Sequence, residues 1–300
     1  MTSVLITGPT KGLGRIATLA MAARADRPDL LLVGRNLAAV AAEARALGAT
    51  VHEIETDLSR LADVREAAAS ARKLVESGAV RPLHAIVGNA GAMSSDTRQA
   101  SADGYELTFA VNYLAHAQLI GDLAATLAEP GRIVLLGSNT YHQNFWRGLL
   151  RVPPAQWRDP LEIARPADAD ATPGLAANGT AYSNAKLAIL YYAHELQRRV
   201  RPGIGVTVFE PGWMPGTSLG RGAPAAAQSV ARGLGRIPGV STPEKSGPLL
   251  ASVALDEKWA HLRDGAFVLK DHVIEAKPVA HDRQREARLW AATGELLARG

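Results

Sequence analysis

The stretch VLITGPTKGLGR, Val4–Arg15, decides how the rest of the chain is read. A short apolar run, Val4–Thr7, passes directly into a turn that carries Gly8, Gly12 and Gly14. Glycines let a backbone turn tightly and approach a phosphate, and a helix that follows offers free N–H groups at its start. Strand, glycine turn and helix form the first unit of a doubly wound α/β sheet, where a dinucleotide pyrophosphate docks. Many strand–helix turns carry glycine for geometry alone, so the weight of the motif rests on its surroundings.

The surroundings repeat the unit. Short apolar runs at Leu30–Val33, Val51–Glu55, His84–Val87, Arg132–Leu136, Val206–Glu210 and Ala266–Leu269 alternate with Ala-rich segments long enough for crossover helices. Apolar runs without alternation indicate strands buried on both faces, as in a parallel sheet. The pattern predicts an α/β fold with a doubly wound parallel sheet, one domain over residues 1–300. No internal repeat or linker interrupts it. Two regions break the rhythm: Asn139–Gly179, a long stretch rich in Pro, Trp and Asp, and Gly212–Pro243, rich in Gly, Pro and Ala, with helical potential near Ala223–Leu234. A loop as long as 139–179 inside a compact domain is usually functional or disordered.

Composition narrows the function. The chain has 300 residues, 47% hydrophobic and 21% charged, with net charge +4 and no block of like charges. Arg198, Arg199 and Arg201 fall at an expected helix end, where cations suit the dipole. No nucleic-acid partner is expected. The absence of cysteine excludes disulfides, iron–sulfur clusters, thiolate zinc sites and a cysteine nucleophile, and no metal site is expected. The opening MTSVLITG is too short for a signal peptide or anchor, and no run approaches the ~20 apolar residues of a spanning helix. A cytoplasmic protein without a membrane anchor is expected.

At the nucleotide end, the second run closes with LLLVGRN, so Arg35 follows Gly34 where an NAD-specific site usually places a carboxylate. Lys11 lies inside the glycine turn. Two cations without a carboxylate suit a 2′-phosphate, which a guanidinium can grip with two hydrogen bonds. The expected cofactor is therefore NADP(H), the alternative being two solvated surface charges. In TDLS after the third run, Asp57 is either an acceptor for an adenine amino group or, like Ser59, a helix N-cap. GNAG, Gly88–Gly91, brings small residues and an amide to the strand ends that face the ligand.

At the other end of the chemistry stand Ser138, in LLGSNT, and the pair Tyr182 and Lys186, in YSNAK. A spacing of four stacks the tyrosine and lysine on one face of a helix beginning near Ala181. Ser138 is not in a nucleophile elbow, and no histidine or acid completes a hydrolase set. A tyrosine serves as general acid or base when a nearby ammonium favours its phenolate, and a serine hydroxyl can orient a carbonyl oxygen. These parts exchange a carbonyl and an alcohol.

Taken in order, TGPTKGLG, GNAG, VNYLAH, GS, YSNAK and EPGW resemble the short-chain dehydrogenase/reductase family, from Thr7 to about Thr217. The resemblance implies a Rossmann-like fold in which Tyr182 donates or accepts the proton and Ser138 positions the substrate oxygen. Lys186 would hold the nicotinamide ribose, and Asn112 would anchor a water that relays protons to Lys186; its alternative is a polar residue that merely distorts a helix. Expected cofactor contacts are Gly8, Thr10, Lys11, Gly12, Leu13, Gly14, Arg35, Asp57, Leu58, Asn89, Ala90, Gly91, Tyr182, Lys186, Pro211 and Gly212. PGWMPGTSL and ARLWAATGELLA resemble the retinol-dehydrogenase/protochlorophyllide-reductase-like branch. Lack of cysteine argues against light-driven protochlorophyllide reduction, and lack of an N-terminal anchor against a membrane-bound retinol dehydrogenase.

The family usually has only a few loop residues between the serine and tyrosine motifs, whereas here 44 positions separate Ser138 from Tyr182. The insertion carries Tyr141, His142, Phe145, Trp146 and Trp157, which suit a lid over a bulky apolar substrate or, alternatively, a flap packed on the domain. Tyr141, His142, Phe145, Trp146 and Trp213 are the expected substrate contacts, His142 as a loop residue rather than an acid. The reading that follows is an NADPH-dependent reductase of a bulky hydrophobic ketone or aldehyde, such as a secondary-metabolite ketoreductase. An alcohol dehydrogenase for a retinol- or steroid-like alcohol is the alternative within the class, and a non-catalytic NADP(H) sensor the alternative outside it. The resemblance implies a homodimer through helices starting near Ala102 and Tyr182, unless the insertion and C-terminal extension leave a monomer.

Overall fold

The computed structural model describes residues 2–143, 153–214 and 240–300. Eight strands form one sheet: β1 (Ser3–Thr7), β2 (Asp29–Gly34), β3 (Val51–Glu55), β4 (Leu83–Gly88), β5 (Gly131–Leu136), β6 (Ile204–Glu210), β7 (Ala266–Leu269) and β8 (His272–Ile274). Their order is β3-β2-β1-β4-β5-β6-β7-β8, and every pair is parallel except β7 with β8. The order reverses between β1 and β4, which opens a crevice at the carboxyl ends of the strands.

The helices are α1 (Gly12–Ala22), α2 (Ala38–Ala46), α3 (Leu61–Glu76), α4 (107–123), α5 (Leu175–Gln197), α6 (Pro243–Leu255) and α7 (Arg283–Arg299). Because side chains alternate along a strand, each strand feeds two cores. Val4 and Ile6 of β1, with Leu30 and Leu32 of β2, pack under α1, α2 and α6. Leu5, Leu31 and Val33 point the other way, into a core shared with α3, α4, α5 and α7. Both faces are thus dry, which is why these strands are uniformly apolar.

Several ends depart from expectation. α5 starts at Leu175 rather than near Ala181, with Gly174 as its extended N-cap, so Tyr182 lies two turns inside the helix. The alternative reading of Asp57 or Ser59 as the cap of α3 does not hold, since Arg60 is the N-cap and the first amide, Leu61 N, donates to Asp103 Oδ2 at 2.9 Å. α4 begins at Leu107, where Glu106 accepts from the amides of Thr108 (3.0 Å) and Phe109 (2.7 Å). It then widens into a π turn at Ala110–Leu114. The 139–179 stretch contains a 3₁₀ turn at Asn139–Tyr141, one helical turn at Pro160–Ile163 and the opening of α5. The expected helix near Ala223–Leu234 lies outside the described residues.

α7 closes the face of α4 and α5. Trp290 stacks on Tyr192 with centroids 5.5 Å apart and planes at 13°. Thr293 Oγ1 is 2.5 Å from the Tyr113 hydroxyl. Glu286 accepts from Arg198 at 2.6 Å and meets His194 at 2.9 Å. Among the described residues no helix is long and apolar enough to cross a membrane.

Candidate active site

The crevice is a cavity of about 370 Å³ at the ends of β1, β2, β4 and β5. Its floor is the glycine turn. Gly8 (φ 65°) and Gly12 (φ 52°) occupy the left-handed region. At Gly14 a Cβ would lie 2.2 Å from Gly8 O and 2.4 Å from Asn89 Nδ2, so only hydrogen fits. The helix that follows has no side-chain cap and no acid in its first turn. Its free amides and positive dipole end therefore face the cavity, a setting that fits a pyrophosphate.

The side chain of Asn89 fixes the turn by donating to Thr7 O (2.9 Å) and Gly8 O (3.1 Å). A second chain of bonds runs behind it. Ala90 N donates to Thr7 Oγ1 at 2.9 Å, and that hydroxyl lies 2.9 Å from His116 Nε2. His116 Nδ1 sits 3.0 Å from Asn112 O. A carbonyl can only accept, so Nδ1 carries the ring proton and Nε2 accepts from Thr7. Burial, with the nearby Lys186 charge, pushes the imidazole down to about 4, so it is neutral. Sequence reasoning missed His116 although VNYLAH ends on it; its partner Thr7 is 109 positions away.

All the cofactor positions expected from Gly8 to Gly91 line this cavity, joined by Tyr182 and Lys186. Arg35 stands at the β2 end with its side chain 65% exposed, its Nη1 3.3 Å from Asp57 Oδ2. Asp57 also accepts from Ser59 N (2.9 Å) and Oγ (2.7 Å). Burial raises its carboxyl, yet the Ser59 bonds and the Arg35 charge outweigh this and hold it below the usual range. The nearby Glu55 carboxylate accepts from the amides of Asn36 (3.2 Å) and Leu37 (3.1 Å). Pro211 and Gly212 are not on the cavity wall; Met214 is. Gly212 (φ 86°) turns the chain just before Met214, and Pro211 O accepts from Ser246 Oγ at 2.6 Å.

At the far end Lys186 is 1% exposed. Its Nζ donates to Leu136 O at 2.7 Å and lies 5.5 Å from the centre of the Tyr182 ring. Burial lowers the ammonium to about 8, with Glu210 acting in the opposite direction. Ser138 is half-buried two residues beyond Leu136, where its Oγ accepts from Thr140 N at 3.4 Å. Asn112 lies in the π turn, a device common at functional sites. Its Nδ2 donates to Ala92 O and Thr108 O, both at 2.6 Å, while Oδ1 is buried with no partner among the described residues.

Of the expected substrate contacts, Tyr141 needs correction. It is 2% exposed, its ring meets Phe267 edge-on at 6.3 Å, and its hydroxyl accepts from Lys277 N at 2.8 Å. A ring packed on β7 in this way belongs to the core rather than to a lid. Trp157 likewise packs edge-on against Tyr191 at 4.8 Å. His142 is half-buried, with Nδ1 donating to Gln143 O at 2.8 Å. Trp213 is half-buried, and its carbonyl accepts from Ser241 N at 2.8 Å. Phe145 and Trp146 lie outside the described residues.

With this geometry in place, comparison with known proteins fixes the class. Residues 2–148 match the family model described as short chain dehydrogenase. The chain is 33% identical over 228 residues to a candidate daunorubicin C-13 ketoreductase of Streptomyces sp. (strain C5), covering 75% of this chain and 69% of that protein. It is 29% identical to human retinol dehydrogenase 13 over 309 residues, 98% of this chain and 84% of the relative. A short chain dehydrogenase from Burkholderia cenocepacia J2315, solved with NADP, shares the fold with TM-score 0.64 and 24% identity, covering 90% and 96% of the two chains. The chain belongs to the short-chain dehydrogenase family. It is a nicotinamide-dependent oxidoreductase of the branch that contains retinol dehydrogenases.

Proposed function

We propose that this protein is an NADPH-dependent reductase of a bulky hydrophobic ketone or aldehyde. The observation that carries the reading is the placement of Tyr182 and the buried Lys186 on the wall of the cavity floored by the Gly8–Gly14 turn. Lys11 and Arg35 line the same cavity where a 2′-phosphate would sit, and the available carboxylates are already engaged with Arg35, Ser59 and backbone amides. Bound nicotinamide would supply a hydride to the carbonyl carbon.

The residues would do the rest. Ser138 orients the carbonyl oxygen, and Tyr182 gives its phenolic proton to that oxygen as charge develops there. Lys186 favours loss of that proton through its ammonium and holds the ribose. Asn112 holds a relay water that returns a proton toward Lys186. The 139–179 insertion and the segment at Trp213 bear on the substrate, with His142 and Trp213 as contacts among the described residues. A ketoreductase named for a polycyclic ketone, among the relatives, supports the bulky substrate class. The similarity to a retinol dehydrogenase supports the opposite direction, alcohol oxidation, as the second reading.

The test is NADPH oxidation against a panel of small and polycyclic carbonyl compounds with wild type and Tyr182→Phe. Turnover by wild type and loss of at least about 10²-fold in the variant are expected from removal of the general acid. Equal cofactor consumption by both proteins sinks the assignment of Tyr182.

A further inference from the structure

Glu210 ends β6 as the strand's one charged residue, and it is 4% exposed. Its Oε1 accepts from Gly212 N at 3.2 Å, and the backbone amide of Asn139 bonds the same carboxylate. Oε2 is buried with no partner among the described residues. Two cations act on it through their charge. Lys186 reaches in from α5, its Nζ held on Leu136 O, and Leu136 pairs across the sheet with Phe209, the neighbour of Glu210. Lys270, in the β7–β8 turn, lies against Gly212: a Cβ there would be 2.6 Å from its Cε and 3.5 Å from its Nζ. The remaining titratable groups around this pair are Tyr141 beside Glu210, and His116 on α4 and Tyr182 on α5 beside Lys186.

A buried carboxylate left without a role would be costly. This one touches the residue after Ser138 and the residue after Pro211, and its charge acts on Lys186. We propose that Glu210 is a positioning residue for the reaction: a buried carboxylate that ties the serine loop to the Pro211–Gly212 turn and sets the charge balance around Lys186. Burial raises the Glu210 carboxyl to about 7 against the pull of the Asn139 and Gly212 amides and the two lysines. Lys186 lies at about 8.

The proposal rests on the reading of Lys186 as the ribose-binding lysine, and its tests need no substrate. Glu210→Gln keeps the volume and an oxygen for both amides while removing only the charge. Glu210→Asp keeps the charge. In the cofactor-free protein, infrared spectroscopy is expected to show a protonated-carboxyl band that disappears as pH rises through neutrality and is missing from Glu210→Gln. NADPH affinity, followed by nicotinamide fluorescence from pH 6 to 9, is expected to fall above about 8 in wild type as Lys186 loses its proton. In Glu210→Gln the fall begins about one unit lower, leaving binding about tenfold weaker at the wild-type midpoint. Glu210→Asp retains most of the wild-type affinity. Superimposable wild-type and Gln curves, an Asp variant as weak as Gln, or no carboxyl band lost in Glu210→Gln overturns the proposal. A wild type that reduces no carbonyl compound contradicts the reductase reading, while these measurements still decide the role of Glu210.

Discussion

Lys186 and Tyr182 stand one helical turn apart on α5, the ammonium nitrogen 5.5 Å from the ring centre and anchored on Leu136 O at 2.7 Å. The anchor is on β5, so the position of the lysine is set by the sheet as well as by its own helix. Lys186→Arg is expected to fail as a conservative change, because a planar guanidinium cannot reproduce a compact ammonium on a single carbonyl. Steady-state kinetics should show a kcat loss of at least about tenfold, with the fold intact by circular dichroism.

Gly14 is the least replaceable glycine of the turn. Gly14→Ala drives a methyl into Gly8 O and Asn89 Nδ2 at 2.2 and 2.4 Å, and overpacking of this kind costs about 1–3 kcal/mol. Gly12→Ala meets nothing within 4 Å, so its cost is confined to a left-handed backbone, about 1 kcal/mol. Thermal melts and NADPH titration should rank Gly14→Ala as the more damaging on both counts.

On the proposed reading, Arg35 sets cofactor choice in concert with Asp57. Arg35→Ala removes the cation and releases the carboxylate 3.3 Å away, so NADPH binding weakens while NADH gains an acceptor for its ribose hydroxyl. A hydrogen bond to a charged group is worth about 1.5–3 kcal/mol, so the NADPH/NADH affinity ratio should drop by roughly 10- to 100-fold. Equal affinities in the wild type would remove the basis for NADPH.

His116 gives the fold an acid limit. It is neutral in the native state down to about 4, whereas in the unfolded chain it takes up a proton near the ordinary 6.5. Native stability from this group is complete above 6.5 and is lost as pH falls toward 4, by about 3 kcal/mol in all. His116→Gln should flatten the urea-unfolding free energy over that interval. Persistence of the full wild-type slope would assign the acid sensitivity to another group.

α7 covers the α4–α5 face on which the resemblance placed a dimer. Sedimentation velocity is expected to give a monomer. Trp290→Ala removes the stack on Tyr192 and the contact with Arg199, 4.7 Å from the Trp ring, and should cost about 1.5–3 kcal/mol. A wild-type dimer would show that another face is used.

Most strands were legible because both of their faces are dry, and β3 (VHEIE), exposed at Glu53 and Glu55, from its place in the alternation; the expected runs match seven of the eight described strands to within about two residues. β8 escaped because its three residues are largely exposed and carry no such run. The expected cavity residues from Gly8 to Gly91 were legible because they sit in local motifs at strand ends, and Tyr182 and Lys186 because their spacing of four marks one face of a helix. What could not be read depends on partners far along the chain. Thr7 donates to the His116 ring, Asp103 takes the first amide of α3, and Lys277 holds the Tyr141 hydroxyl. The start of α5 was hidden by Asn178 and Gly179, weak helix formers that tertiary packing carries into the helix.

The cavity lies at the seam between the two cores. Leu13 on its wall belongs to the layer under α1, α2 and α6, whereas Leu58 belongs to the layer under α3, α4, α5 and α7. A dinucleotide seated there would work as a staple, joining two layers that lie on opposite faces of the sheet. Its binding free energy adds to the stability of both halves at once, about 2.7 kcal/mol at a hundredfold excess over Kd. Cofactor supply in the cell would then govern how long the protein survives proteolysis as well as how fast it turns over.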